Sequence, residues 1–164
     1  MIHYEIYPSA FGELGIAASE SGLVGIDLQA GKRPLPVKED WLRGATELTD
    51  TAAEQLEAYF GGEIQSFELP MDATGTPFQQ SVWKALCAIP FGETRSYREL
   101  AEAIGNPKAV RAVARANGAN PLSIVVPCHR VIGADGRLTG YAGGLEMKAR
   151  LLALEGVLIG QPVR

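Results

Sequence analysis

The segment Pro127-Cys128-His129-Arg130-Val131 puts a thiol, an imidazole and a guanidinium at consecutive positions. A thiol attacks as its thiolate, and a nearby cation or a proton-accepting imidazole favours that form. The segment follows the apolar run Ile124-Val125-Val126 and a proline, so Cys128 is expected at the end of a buried, strand-like element, where reactive side chains are often carried. Direct neighbours on an extended chain point opposite ways, so contact between Cys128 and His129 needs a turn or a bridging water. Taken alone, the pair fits a core thiol beside a surface imidazole equally well. The other cysteine, Cys87, lies in a stripe formed by Phe78, Val82, Trp83 and Leu86 and is expected to be a buried helix residue, with Phe78 and Trp83 in the core. Two histidines and two cysteines this far apart give no metal-ligand spacing, and His3 has no partner.

Three further sites could carry chemistry. Glu155 sits in Leu154-Glu155-Gly156 at the end of a helical pattern, where the helix dipole disfavours a carboxylate. It reads as a charged terminus or as a functional group. Tyr141 lies in Gly140-Tyr141-Ala142-Gly143-Gly144, whose glycines permit close approach of backbone to a flat ring or simply make a turn. Arg111 and Arg115 are four apart in a stretch otherwise rich in alanine, and form either a solvated helix face or a phosphate-binding one.

The elements that must hold these residues follow from periodicity. Ile2–Tyr7, Leu14–Ala18 and Leu23–Leu28 read as strands separated by turn residues, a small antiparallel sheet. Thr46–Phe60 places Leu48, Ala52, Leu56 and Tyr59/Phe60 at helical spacing, giving one helix to cover that sheet. Residues 68–75 lack periodicity and read as a linker between a module at 1–70 and another at 76–164. The second opens with Thr76-Pro77, a cap followed by proline at the first helical position. A short helix over Ser96–Ile104, a stop at Gly105 and a second helix from Asn106-Pro107 to about Asn117 make a helix-turn-helix candidate. A Gly-rich hairpin at Gly133–Gly144 and a last helix, Leu145–Leu154, complete the chain.

The 164 residues are 46% hydrophobic, enough for one ordinary core or two small ones. No apolar run is long enough to span a bilayer and the amino terminus lacks a secretory pattern, so a soluble, cytoplasmic protein is expected. The net charge of −4 and pI near 5.2 argue against nucleic acid. The distribution reverses that impression: residues 1–75 hold 4 basic and 13 acidic side chains, whereas residues 76–164 hold 11 basic and 6 acidic. Only the second half suits a polyanion.

Pro-Cys-His-Arg-Val arises by chance in fewer than about one chain in ten thousand. It resembles the active-site signature of the O6-alkylguanine-DNA alkyltransferases, and the resemblance extends from about Thr76 to Gly156. It implies an α+β fold: a ribonuclease-H-like antiparallel sheet with a helix at the amino terminus, then a mainly helical, winged helix-turn-helix-like domain carrying the active site. The resemblance implies that Cys128 accepts the alkyl group, that His129 draws off its proton through a water, and that Glu155 orients the imidazole. Asn120 would support the reactive segment, and Tyr141 would donate to guanine N3 as the leaving base gains charge. Val131, Ala142 and Gly143 would line the base pocket. The family commonly has serine where this chain has Ala142, which leaves backbone N–H groups to meet the guanine oxygen. The zinc-binding residues that some members carry in the amino-terminal module are not present in this sequence.

On the DNA side the resemblance makes Arg111 the side chain that replaces an extruded nucleotide and Tyr97 the one that turns the adjacent phosphate, with Ala109, Ala112 and Arg115 on the same binding helix. A helix about 10 Å wide enters a minor groove of about 6 Å only if its side chains are small and the groove opens, and the alanines suit that. The expected partner is therefore double-stranded DNA containing alkylated guanine, met through the minor groove, with no cofactor implied. Two rivals remain open from sequence. Alkyltransferase-like lesion binders share the scaffold but replace the acceptor cysteine, usually by tryptophan. A Cys-His thiol hydrolase would use the same nucleophile, but leaves the Ala/Arg helix and the charge split unexplained.

Overall fold

The computed structural model describes residues 1–31, 34–139, 141 and 144–157, and the chain divides into two compact units. The first comprises Met1–Thr74 with Pro121–Val125, and the second Gly75–Asn120 with Val126 onward. Among the described residues no helix is long and apolar enough to cross a membrane.

In the first unit, β1 (His3–Tyr7), β2 (Leu14–Ala18) and β3 (Leu23–Leu28) form the expected antiparallel meander. A two-residue strand, β4 (Leu42–Arg43), joins the free edge of β1 in parallel and was not evident from so short a stretch. The sheet order β3-β2-β1-β4 leaves β2 central, and each of its five residues is buried. Helix α1 (Glu47–Phe60) begins where Thr46 and Thr49 cap each other reciprocally, and buries Ala52, Leu56, Tyr59 and Phe60. The boundary between the two units falls at Thr74/Gly75, within the expected linker, and part of that segment is paired. Leu23 N–H donates to Pro70 O, and Asp72 N–H to Leu23 O, so the segment pairs along β3.

A second departure concerns the run before Cys128. Ile124-Val125-Val126 makes no strand: Leu122 bridges to Ile26, and Ile26 and Ser123 exchange backbone bonds with Pro121 and Ile26 respectively. Ile124 then turns with φ 74°, a left-handed conformation rare for a β-branched residue. The module at 76–164 is therefore interrupted at 121–125, which packs as part of the first unit.

The second unit contains α2 (Pro77–Cys87), β5 (Arg95–Ser96), α3 (Tyr97–Ala103), α4 (Val110–Gly118), a 3-10 turn (Cys128–Arg130), β6 (Val131–Ile132) and α5 (Leu145–Leu154). Thr76 and Gln79 form a capping box with Pro77 in the first turn of α2, and Ser96 with Glu99 does the same for α3. Trp83 on α2 donates its indole N–H to Ala116 O of α4 at 2.9 Å, and α4 packs on both α2 and α3. Gly105, at φ 78°, ends α3 in the left-handed conformation that glycine adopts without a Cβ penalty. Helix α4 starts at Val110 rather than Pro107. Asn106 O takes Ala109 N–H in a tight turn, so helical bonding begins only with Val113 N–H to Ala109 O. Before the expected hairpin, β6 pairs in parallel with β5; within it Gly133 N–H closes a turn on Arg137 O, and residues 140, 142 and 143 lie outside the described residues. Phe78 is only half-buried, and Cys87 is exposed at the end of α2.

Candidate active site

Pro127 has φ −80° and ψ 63°, and Val126 O accepts Cys128 N–H across it at 2.8 Å. That is an inverse γ-turn, for which proline's fixed φ is well suited. It feeds directly into the 3-10 turn, where Arg130 N–H donates to Pro127 O and Val131 N–H to Cys128 O. The turn required to relate Cys128 and His129 is thus supplied by the backbone, and with three residues per turn the three side chains leave in separate directions. All three are buried, Cys128 at 6% exposure.

Two of them converge on Glu155, the residue that caps the end of α5. His129 Nε2 lies 2.8 Å from Glu155 Oε2. Arg130 grips the same carboxylate with two donors, Nε to Oε1 at 2.8 Å and Nη2 to Oε2 at 2.9 Å, while its Nη1 donates to Ile89 O at 2.7 Å. Gly92 N–H donates to Oε1 at 3.3 Å from a backbone with φ 82°. The carboxylate side chain is fully buried, and a bidentate guanidinium is the partner best shaped to keep it ionised there. An ionised Glu155 only accepts, so the imidazole must carry its proton on Nε2 and keep its lone pair on Nδ1. His129 Nδ1 is buried and has no hydrogen-bond partner among the described residues. Burial pushes the pKa of His129 below its ordinary value; Glu155 opposes the shift, and Arg130 and Lys148 add to it. The ring is therefore a neutral base at physiological pH.

Asn120 donates its side-chain N–H to Val126 O at 2.9 Å. The chain leaves the second unit after Asn120 and re-enters it at Val126, so this bond staples the two ends of the excursion immediately before the reactive turn. Tyr97, half-buried at the start of α3, places its hydroxyl 3.3 Å from Thr139 Oγ1, and its pKa is raised by burial first and by the Cys128 charge in addition. Tyr141 is buried at 7% exposure, and Val131 is wholly buried in β6. Ala142 and Gly143 lie outside the described residues.

Helix α4 is organised as its pattern suggested. Val113, Ala116 and Asn117 are buried, Arg111 and Arg115 are exposed, and Ala109 and Ala112 are intermediate. The exposed face thus carries two guanidiniums on a surface otherwise built from small side chains.

A model of the 6-O-methylguanine DNA methyltransferase ribonuclease-like domain matches residues 2–73, and one of that family's DNA binding domain matches residues 77–157. The chain belongs to the 6-O-methylguanine DNA methyltransferase family. Among relatives in that family, the methylated-DNA--protein-cysteine methyltransferase of Methanosarcina barkeri is 51% identical over 94% of this chain and 97% of its own length. That of Mycobacterium tuberculosis is 49% identical over 94% and 93%. The fold matches the crystal structure of Mycobacterium tuberculosis OGT in complex with DNA with a TM-score of 0.86, at 48% identity and covering 93% of this chain and 92% of that one.

Two participants escaped sequence reasoning. Gly92 has no side chain to carry chemistry, and its place at the site comes from a left-handed backbone whose N–H donates to Glu155. Lys148, wholly buried, donates to Val131 O at 2.5 Å and Thr139 O at 2.7 Å. Its seven-residue spacing from Glu155 puts both on one face of α5, and that spacing was available as a signal.

Proposed function

We propose that this chain repairs DNA by moving an alkyl group, chiefly methyl, from O6 of an alkylated guanine to the sulfur of its own Cys128. The observation that carries the reading is the lock between His129 Nε2 and Glu155, which leaves Nδ1 as the basic end of a buried imidazole next in sequence to the thiol. His129 Nδ1 accepts the thiol proton through a water. The thiolate attacks the alkyl carbon in line with the C–O6 bond, the S–C bond forms as C–O6 breaks, and the bonding pair stays with the guanine. Tyr141 donates to N3 as that charge develops, and one proton returns to the base to give guanine. The thioether is stable, so each chain acts once.

Burial of Cys128 within the second unit supports base flipping, because a guanine stacked in a duplex does not reach a thiol with 6% exposure. The exposed Arg111 fills the space left by the nucleotide and Arg115 meets phosphate, while Ala109 and Ala112 let α4 approach the minor groove. Tyr97 turns the phosphate beside the flipped nucleotide, and Val131, Ala142 and Gly143 line the pocket. The partner is double-stranded DNA carrying the lesion, and the working compartment is the cytoplasm. The test is stoichiometric. A fixed amount of protein mixed with excess duplex containing O6-methylguanine should remove one methyl per chain and then stop. Continued turnover, or release of free methanol, would overturn the reading.

A further inference from the structure

The carboxyl-terminal half of α2 borders, with β5 and α3, a trough of about 520 Å³ that the site around Cys128 does not use. Its floor is apolar and built from small groups, Ala85, Ala88, Ile89, Leu100 and Ala103. Ile89 and Leu100 are buried, and Ile89 O takes Arg130 Nη1 at 2.7 Å, so the base of the trough is fixed before anything enters it. Ala88, Glu99, Glu102 and Ala103 are exposed along its rim. At about 100° per residue, Glu99 and Ala103 lie on the face of α3 roughly opposite Tyr97 and Ala101. The trough therefore opens away from the side of α3 that carries Tyr97 toward Thr139.

Its charge runs against its surroundings. Residues 76–164 hold 11 basic and 6 acidic side chains, yet two of those six, Glu99 and Glu102, line this one hollow. The lining arginine, Arg95, is taken by Glu93 Oε1 at 3.1 Å and Thr94 O at 2.9 Å. Among the described residues neither lining glutamate has a cationic partner. Glu99 has a local purpose, since its Oε1 accepts Ser96 N–H in the capping box of α3. Glu102 gains nothing from its position. It stands three residues on from Glu99, where the two carboxylates repel, and in the last turn of a helix, where the dipole disfavours an anion. A cation from outside would relieve both penalties.

The lining presents methyl groups and carboxylates, without a hydroxyl or amide side chain of the kind that orients a small molecule. An alanine floor instead lets a helix approach closely, with aliphatic side chains in the trough and lysine or arginine against the rim. We infer that this trough is a docking site for a short basic amphipathic helix of a partner protein, its aliphatic side chains on Ala85, Ala88 and Ala103 and its cations on Glu99 and Glu102. The inference goes beyond the repair reaction and holds whichever residue accepts the alkyl group.

The test follows the methyl resonances of Ala85, Ala88, Leu100 and Ala103 in the full chain while a peptide of two Leu-Lys-Lys-Leu-Leu-Lys-Lys repeats is added. These resonances should shift saturably, and the counterpart with glutamate in place of lysine should leave them unmoved. Glu99→Gln combined with Glu102→Gln should weaken the basic peptide about fivefold, as loss of two exposed ion pairs requires, while glutamine keeps the cap of α3. Ala88→Trp, which fills the trough, should abolish the shifts. Shifts confined to the acidic residues 1–75 would show that the peptide follows net charge alone and overturn the inference. Equal binding of the acidic peptide, unaltered affinity in the double variant, or binding that survives Ala88→Trp would do the same. Two other occupants are read from the same spectra. Shifts of equal size with lysine amide alone would assign the trough to a small cation, and shifts that grow with the concentration of the chain alone would assign it to a second copy; either result overturns the inference.

Discussion

The two cysteines occupy regions of opposite design. Cys87 ends a regular helix, exposed, with burial of its thiol by neighbouring atoms pushing its pKa up and only a weaker opposing pull from Arg130. Cys128 is buried, yet it lies in a one-turn 3-10 helix whose next two residues share a buried carboxylate and whose closing residue is held by a buried lysine. Exposure alone would have chosen the wrong thiol. Nucleophilic competence depends on which charges surround the sulfur and on where its proton can go.

The sharpest way to break that comparison is to exchange the cysteines' fates. Cys128→Ser should abolish methyl transfer while leaving lesion-duplex affinity within about twofold, and Cys87→Ser should leave the transfer rate unchanged, both read from single-turnover kinetics and binding isotherms. Loss of transfer in the Cys87 variant alone would invert the assignment.

Next in size is Glu155→Gln. A neutral amide cannot hold a bidentate guanidinium and an imidazole N–H together, so the variant should lose about 3 kcal/mol of unfolding free energy and transfer about a hundredfold more slowly. Denaturant titration and transfer kinetics check the two halves. Loss of stability with an unaltered rate would show that the carboxylate only holds Arg130.

Arg111→Ala tests the DNA side of the same unit. It should slow repair of duplex by about tenfold and leave reaction with a free O6-alkylguanine base within about twofold, because only the duplex has a gap to fill. Equal slowing with both substrates would remove Arg111 from base extrusion.

The smallest expected effect is in pH. The native His129 has a pKa below its ordinary 6.5, so below pH 6.5 the unfolded chain takes up a proton that the native state refuses. Its contribution to stability is complete above that pH and is lost as pH falls toward the native value, at a rate of no more than about 1.4 kcal/mol per pH unit. Denaturant titrations at pH 7.5, 6.5 and 5.5 should show the decline starting below 6.5, and its absence in His129→Gln would assign it.

How much of this was readable in the sequence depended on the range of the interaction. The three long strands, α1, α2 and α5 follow from local periodicity and caps such as Thr76 with Gln79, which need only a few neighbouring residues. The Pro-Cys-His-Arg-Val segment and Glu155 were identifiable because the residue types are chemically unusual in their positions. The misses are interactions that local pattern does not encode. Strand β4 exists because β1 offers an edge, the Ile124-Val125-Val126 run turns because Leu122 and Ser123 are already paired to Ile26, and Cys87 is exposed because it is the last residue of α2, rotated about 100° from the buried Leu86 before it. The buried Lys148 shares a face of α5 with Glu155, but the carbonyls of Val131 and Thr139 that hold it inside are tertiary partners that local pattern does not supply.

The most direct measurement is mass spectrometry of the proteolysed chain after incubation with excess duplex containing O6-methylguanine. The account predicts one added methyl, on the peptide containing Cys128, and an unmodified Cys87 peptide. A Cys128 peptide recovered at its original mass while the lesion is consumed, or a methyl found on Cys87, would contradict it.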